Sequence, residues 1–208
     1  VIEINTDDLD ELRDMVKGIP VAEKALLKAI LSAINSTMTK TRTKAIQLVR
    51  RDYAAKAQYL RVTLPISRAT THTMEARMLG EARSIPLAHF DLWEKGVPST
   101  IRFGTQYSPK MGVSLRVMKG SYKKIRTAFV AKMSSGHVGV FSRFDKSGST
   151  MGTAKSGKER IQERFGPSPG AILASTRYDE ELDDFVYDTL ETVMAEKAEQ
   201  FIGKMGLR

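Results

Sequence analysis

GTAKSGKE, Gly152 to Glu159, is the stretch of this 208-residue chain whose residue types and spacing come nearest to chemistry. Two glycines followed by a lysine begin a phosphate-cradling loop, in which backbone N–H groups surround the phosphates and the ammonium neutralises them. The pattern then fails. Glu159 stands where the Ser or Thr that ligates Mg²⁺ belongs, and a carboxylate there repels phosphate. No apolar strand precedes the stretch, so it reads as a solvated loop. The three histidines, His72, His89 and His137, lie far apart in sequence, without the i,i+4 spacing of a helical metal site. No G-x-S-x-G elbow is present. There is no cysteine, hence no thiolate or disulfide chemistry, a composition that suits a reducing compartment. Trp93 and the tyrosines do not alternate with basic residues as a base-stacking platform would. No catalytic residue, metal or cofactor is expected.

Charge is the stronger signal. The formal net charge of +9 is unevenly spread: residues 1–20 carry −4, 21–72 carry +8, 73–176 carry +10 and 177–208 carry −5. A basic middle between acidic ends permits two readings. The middle faces a polyanion such as DNA, or the acidic ends dock on the basic middles of neighbouring copies. No apolar run approaches the roughly 20 residues of a membrane span. The opening VIEINTDDLDELRD is acidic and lacks the apolar core of a signal peptide.

The elements that would position these charges follow from hydrophobic period. Residues 1–20 read as an acidic helical extension, with a short helix over 6–17 ended by Gly18-Ile19-Pro20. Residues 21–208 read as one α+β domain. A long helix is expected over 21–51, with Leu26, Ile30, Ala33, Ile34, Met38, Ala45, Leu48 and Val49 near a 3.6-residue period and Thr37 and Thr41 weakening its middle turn. A shorter helix is expected over 53–61. A small, mostly antiparallel sheet follows over about 62–144, packed by long N- and C-terminal helices. Within it TIRFG (100–104) and GVSLRVM (112–118) alternate as strands, with QYSPK as the turn between them. Residues 145–158 read as a basic loop. The last helix spans about 176–202, opened by a Thr176–Asp179 capping pattern and carrying an apolar stripe from Leu182 to Ile202.

AFVAKMSSGHVGVFSRF, 128–144, folds on paper as a hairpin about Ser135. Ser134-Ser135-Gly136 makes a three-residue loop, with Gly136 in the left-handed position such loops need. Phe129 then faces Phe141 on one side of the sheet, and Val130 faces Val140 on the other. These are scaffold residues. The candidate contact residues are the charged ones. Asp179, Glu180, Asp183, Asp184, Asp188 and Glu191 form a candidate subunit-contact face on the last helix. Lys40, Lys44, Arg50 and Arg51 on the long helix, with Lys146, Lys155 and Lys158 in the basic loop, are candidate contacts for DNA or a neighbouring protein.

At this point the chain resembles a family: the minor tail protein Z, or tail-completion, proteins of lambda-like tailed phages. KALLKAILSAINSTMTKTRTKAIQLVRRDY, IPLAHF with VSLRVMKG, AFVAKMSSGHVGVFSR, and ERFGPSPGAIL leading to a final helix carry the resemblance, over about residues 22–200. Thr127 departs from the glycine common before AF, the loop before FGPSP is long, and the acidic N-terminal helix has no counterpart. The resemblance implies a non-enzymatic protein at the head-proximal end of the tail that makes it competent to join the filled head. It implies an architecture like that of ring-forming head–tail neck proteins. It further implies as partners its own copies, the tail terminator or tail tube, and the head–tail connector, with genome DNA passing through the bore unread. Its location would be the neck of the virion, and the host cytoplasm during assembly. The rival readings are a sequence-independent nucleic-acid-binding protein and, third, a nuclease or NTPase.

Overall fold

The computed structural model describes residues 2–4, 20–81, 83–92, 106–107, 112–120, 122–144, 150–151 and 160–205. The fold is α+β, with long helices near both ends of the chain and small antiparallel sheets between. The chain divides into two compact units. The first takes residues 1–48, 61–81 and 170–208, and the second takes 49–60 and 82–169. The described strands form three sheets rather than one.

The first unit is built on two helices. α1 runs Pro20–Asp52, with its first 29 residues in this unit. Pro20 occupies the first helical position, where its missing N–H is not needed. Every apolar residue expected along it is buried, Ala33, Ile34, Met38, Ala45 and Val49 completely. Thr37 and Thr41 also lie in the core, both fully buried. The Thr41 hydroxyl donates to the Thr37 carbonyl at 2.9 Å, while the Thr37 hydroxyl has no hydrogen-bond partner among the described residues. α2, Ala57–Thr63, starts later than expected, because Ala54 and Lys56 give their backbone N–H groups to Val117 and His89.

Strands β1 (Ile2–Ile4), β2 (Ile66–Ser67) and β3 (Ala76–Met78) form a sheet in the order β1-β3-β2, Ile2 and Ile66 both facing Met78. The expected acidic extension therefore opens as a strand, which the alternating Ile-Glu-Ile favours; the helix expected over 6–17 lies outside the described residues. Asn35 ties the segment after β2 to α1, its Nδ2 donating to the Ala69 carbonyl at 3.1 Å while its Oδ1 accepts from the Ala69 N–H at 2.9 Å. A short helix, α3 (Pro169–Leu173), leads into α4, Thr176–Met205. The Asp179 N–H bonds to the Ser175 carbonyl, so Ser175 rather than Thr176 holds the N-cap position. Tyr178, Leu182, Val186 and Val193 are the buried side of α4.

The second unit is mostly strand. After a 3₁₀ turn at Leu87–His89, β4 (Asp91–Leu92), β6 (Val113–Arg116) and β7 (Lys123–Ile125) form one sheet in the order β4-β6-β7. Val113 and Leu115 are buried while Ser114 and Arg116 are half-exposed, as the alternation requires. The other sheet centres on the expected hairpin, β8 (Ala128–Lys132) with β9 (Val138–Phe144). Phe129 faces Phe141 and Val130 faces Val140. The Gly136 N–H closes the turn on the Met133 carbonyl at 2.9 Å, and Gly136 has φ +85°. All four facing residues are buried, so both faces of the hairpin are covered.

Further strands complete this sheet. β5 (Gln106–Tyr107) pairs with Ala131 and Val130 of β8, so the first two residues of QYSPK are strand, not turn. The strand expected at 100–104 lies outside the described residues. β10 (Thr150–Met151) and β11 (Arg160–Glu163) both pair with β9, so the expected basic loop contains a strand residue pair and returns to the sheet.

Candidate functional site

On α4, Glu180, Asp183, Asp184, Asp188 and Glu191 recur at intervals of three and four residues and are all exposed. That spacing places them along one helix face, opposite Leu182, Val186 and Val193. Asp179, also exposed, lies beside the stripe. Among the described residues none of these six carboxylates makes an ion pair. Asp179 and Glu180 sit near the helix N-terminus, where the backbone dipole favours negative charge. Asp183, Asp184, Asp188 and Glu191 lie beyond that turn, and like charges three or four apart disfavour a helix by about 0.2–0.5 kcal/mol per pair. Intrahelical stability therefore does not account for them.

In the middle of the stripe is a residue the charge reading passes over. Tyr187 is 73% exposed, the most exposed of the large apolar or aromatic side chains described. Its signal in the sequence is its register, three residues after Asp184 and four after Asp183.

The basic candidates separate. Lys40 is exposed on α1 in the first unit. Lys44 is already engaged: its Nζ lies 3.0 Å from Glu181 Oε1 and 5.5 Å from the Phe185 ring centroid, joining α1 to α4. It therefore serves packing within the unit. Arg51 Nε lies 3.9 Å from Asp52. Lys146, Lys155 and Lys158, with the whole GTAKSGKE stretch, lie outside the described residues.

Arg50 opens onto a cleft of 410 Å³ in the second unit. Lys56, Arg116 and Lys119 line it together with Arg50, and Asp91 is the one carboxylate among its described lining residues. Tyr53, Ala54, Ala55 and Leu92 supply an apolar wall. The backbone reason for this gathering is local. Tyr53 forms a bridge with Met118, and the Lys119 N–H donates to the Asp52 carbonyl at 2.6 Å, so the end of α1 is stitched to the end of β6.

Asp91 and Arg116 face each other across β4 and β6. The Arg116 Nη2 donates to Asp91 Oδ2 at 2.6 Å, and the Tyr122 hydroxyl donates to the same oxygen at 2.9 Å. That hydrogen bond to Asp91, more than burial, raises the Tyr122 phenol above its ordinary value. The guanidinium lies 5.1 Å from the Tyr122 ring centroid. Asp91 is thus committed to holding Arg116, and the Arg116 Nε is buried without a partner among the described residues. Arg50 and Lys119 are exposed. The cleft presents an excess of positive charge beside an apolar wall, a setting for carboxylates or phosphates.

Two further polar contacts flank the hairpin. His137 Nε2 lies 2.7 Å from Glu163 Oε1, linking the hairpin turn to β11. His89 stacks on Tyr59 with ring centroids 4.0 Å apart, and burial, with the nearby Lys56 ammonium second, lowers its pKa below the ordinary histidine value. Among the described residues no group of three or more His, Cys, Asp or Glu is placed to hold a metal ion. No described helix is long and apolar enough to cross a membrane. Comparison with protein-family models, curated proteins and solved structures returns no match to this chain.

Proposed function

We propose that this chain is a non-enzymatic structural protein of phage morphogenesis, which joins copies of itself at the head-proximal end of a tail and makes that end competent to receive the filled head. The resemblance of its hairpin, basic helix and final helix to tail-completion proteins supports the setting. The observation that carries the assembly part is the separation of charge: an exposed stripe of carboxylates on α4 without an ion pair among the described residues, and an exposed basic cleft in the other unit. Surfaces of opposite sign on one chain are suited to head-to-tail association of identical subunits. The hairpin residues Phe129, Val130, Val140 and Phe141 are scaffold in this reading.

The test is reconstitution. Tails assembled without the protein are mixed with filled heads, with and without the purified chain, and infectious particles are counted. Addition is expected to restore joining and to place the protein at the tail end in electron micrographs. Tails that stay unjoined and undecorated refute the reading.

The second reading is sequence-independent binding of nucleic acid, which the four cationic side chains around the cleft favour. It predicts retention of duplex DNA of any sequence by a monomer or dimer, with affinity falling steeply as salt rises.

A further inference from the structure

We propose that the basic cleft of one copy receives the acidic stripe of α4 from a second copy, with Tyr187 seated against the cleft's apolar wall. This rests on the assembly reading above and names its contact. Among the described residues the cleft brings four cationic side chains around one carboxylate, and that carboxylate is occupied by Arg116 and Tyr122. Among the described residues that line it, positive charge exceeds negative. The stripe offers carboxylates at i, i+3, i+4, i+8 and i+11 from Glu180, with an exposed aromatic ring at i+7.

Phosphates would satisfy the cations as well, but they leave the rest unexplained. A phosphodiester has no use for the apolar wall of Tyr53, Ala54 and Leu92. It also leaves Tyr187 in water and the like charges of α4 unrelieved. A helix face with one aromatic anchor ringed by carboxylates matches both the charge and the apolar side of the cleft. Aromatic residues set in such pockets carry much of the energy of protein interfaces. Because the stripe and the cleft are different surfaces, the contact is heterologous, and repeated copies close into a ring or run on as a filament.

A charge swap tests the pairing. Asp184→Lys with Asp188→Lys reverses the stripe, and Arg50→Glu with Lys119→Glu reverses the rim of the cleft; all four side chains are exposed, and circular dichroism verifies folding. Mass is followed by light scattering and sedimentation at low and high salt. The unaltered chain is expected to self-associate at low salt and dissociate as salt rises. Each reversed form alone is expected to associate at least about a hundredfold more weakly, since apposed like charges cost several kcal/mol. An equimolar mixture of the two is expected to recover association, because each then meets an opposite surface. Tyr187→Ala is expected to weaken association without changing the charge.

Folded variants whose mixture stays dissociated overturn the pairing, as do variants that associate like the unaltered chain; in both cases tail joining by the unaltered chain leaves the assembly reading standing. A chain monomeric at every salt and inert on tails overturns both. Loss of duplex DNA retention in the cleft variant, with association unchanged, overturns the pairing in favour of phosphate.

Discussion

Thr37 and Thr41 stand one turn apart on α1, both fully buried, and differ in one respect: the Thr41 hydroxyl donates to a carbonyl, while the Thr37 hydroxyl has no partner among the described residues. Replacing each in turn by valine exchanges a hydroxyl for a methyl of similar shape. Helix propensity and χ1 stiffness change little and almost equally at the two sites. In Thr41→Val a hydrogen bond of about 1 kcal/mol is lost, and burial of the added methyl returns about 0.8 kcal/mol. The net is close to zero. In Thr37→Val no hydrogen bond is lost, the same methyl is buried, and a hydroxyl whose unmatched desolvation costs about 1–3 kcal/mol is removed. The methyl gain is common to both and cancels, so Thr37→Val is expected to exceed Thr41→Val in stability by about 2–4 kcal/mol. For a chain of this size that corresponds to a difference of several degrees in melting temperature, at about 2–4 °C per kcal/mol. Thermal melts of the two variants and the unaltered chain by circular dichroism measure it. Equal melting temperatures, or a Thr37→Val variant below Thr41→Val, refute the account of an unpaired hydroxyl in the core.

Two glycines of the hairpin separate backbone strain from crowding. Gly136 has φ +85° and open space where a Cβ would project, so Gly136→Ala should cost about 1–2 kcal/mol in backbone strain alone. At Gly139 the added carbon would meet Glu163 Oε1 at 2.6 Å and the Phe141 ring at 2.8 Å, and overpacking of about 1–3 kcal/mol should be accompanied by loss of the His137–Glu163 contact, visible as a shifted His137 imidazole resonance. The lowered pKa of His89 sets a sign for pH dependence: the folded chain prefers the neutral ring, so this contribution is complete above about pH 6.5 and declines as pH falls below it. His89→Phe keeps a ring on Tyr59 and should flatten the melting temperature against pH in that window; an unchanged slope rules His89 out as its source. Glu181→Gln should cost no more than about 1 kcal/mol, since its ion pair with Lys44 is half-exposed, and a larger loss by urea titration would mean that the joint between α1 and α4 depends on charge more than on packing.

The parts of the fold legible in the sequence are those fixed by neighbours along the chain. Apolar period placed α1 within a residue at each end, and turn chemistry at Ser134-Ser135-Gly136 set the hairpin register down to Phe129 against Phe141. Pairings between distant segments were not legible. Gln106 and Tyr107 look like the start of a turn because Pro109 follows, and only β8, twenty-odd residues later, makes them a strand. Of the candidate site, the acidic stripe is written in the spacing of α4, but the cleft is not. Asp91 and Arg116 are 25 residues apart, and only the pairing of β4 with β6 sets them opposite. Lys44 shows the converse: its type and place suggest an outward contact, and Glu181 takes it inward.

β9 carries a consequence for tagging the protein. Met151 is paired with Arg143 on one side of β9 and Arg160 with Phe144 on the other, so the sheet holds the chain at both ends of 152–159. Its endpoints are held by the sheet whatever lies between them. Doubling the length of such a closed excursion adds only about 0.6 kcal/mol of closure entropy. An epitope or a small fluorescent domain spliced into 152–159 would hang from the sheet by two points that flank β9, leaving the α4 stripe and the cleft rim unaltered in sequence, a handle for following the protein onto a tail.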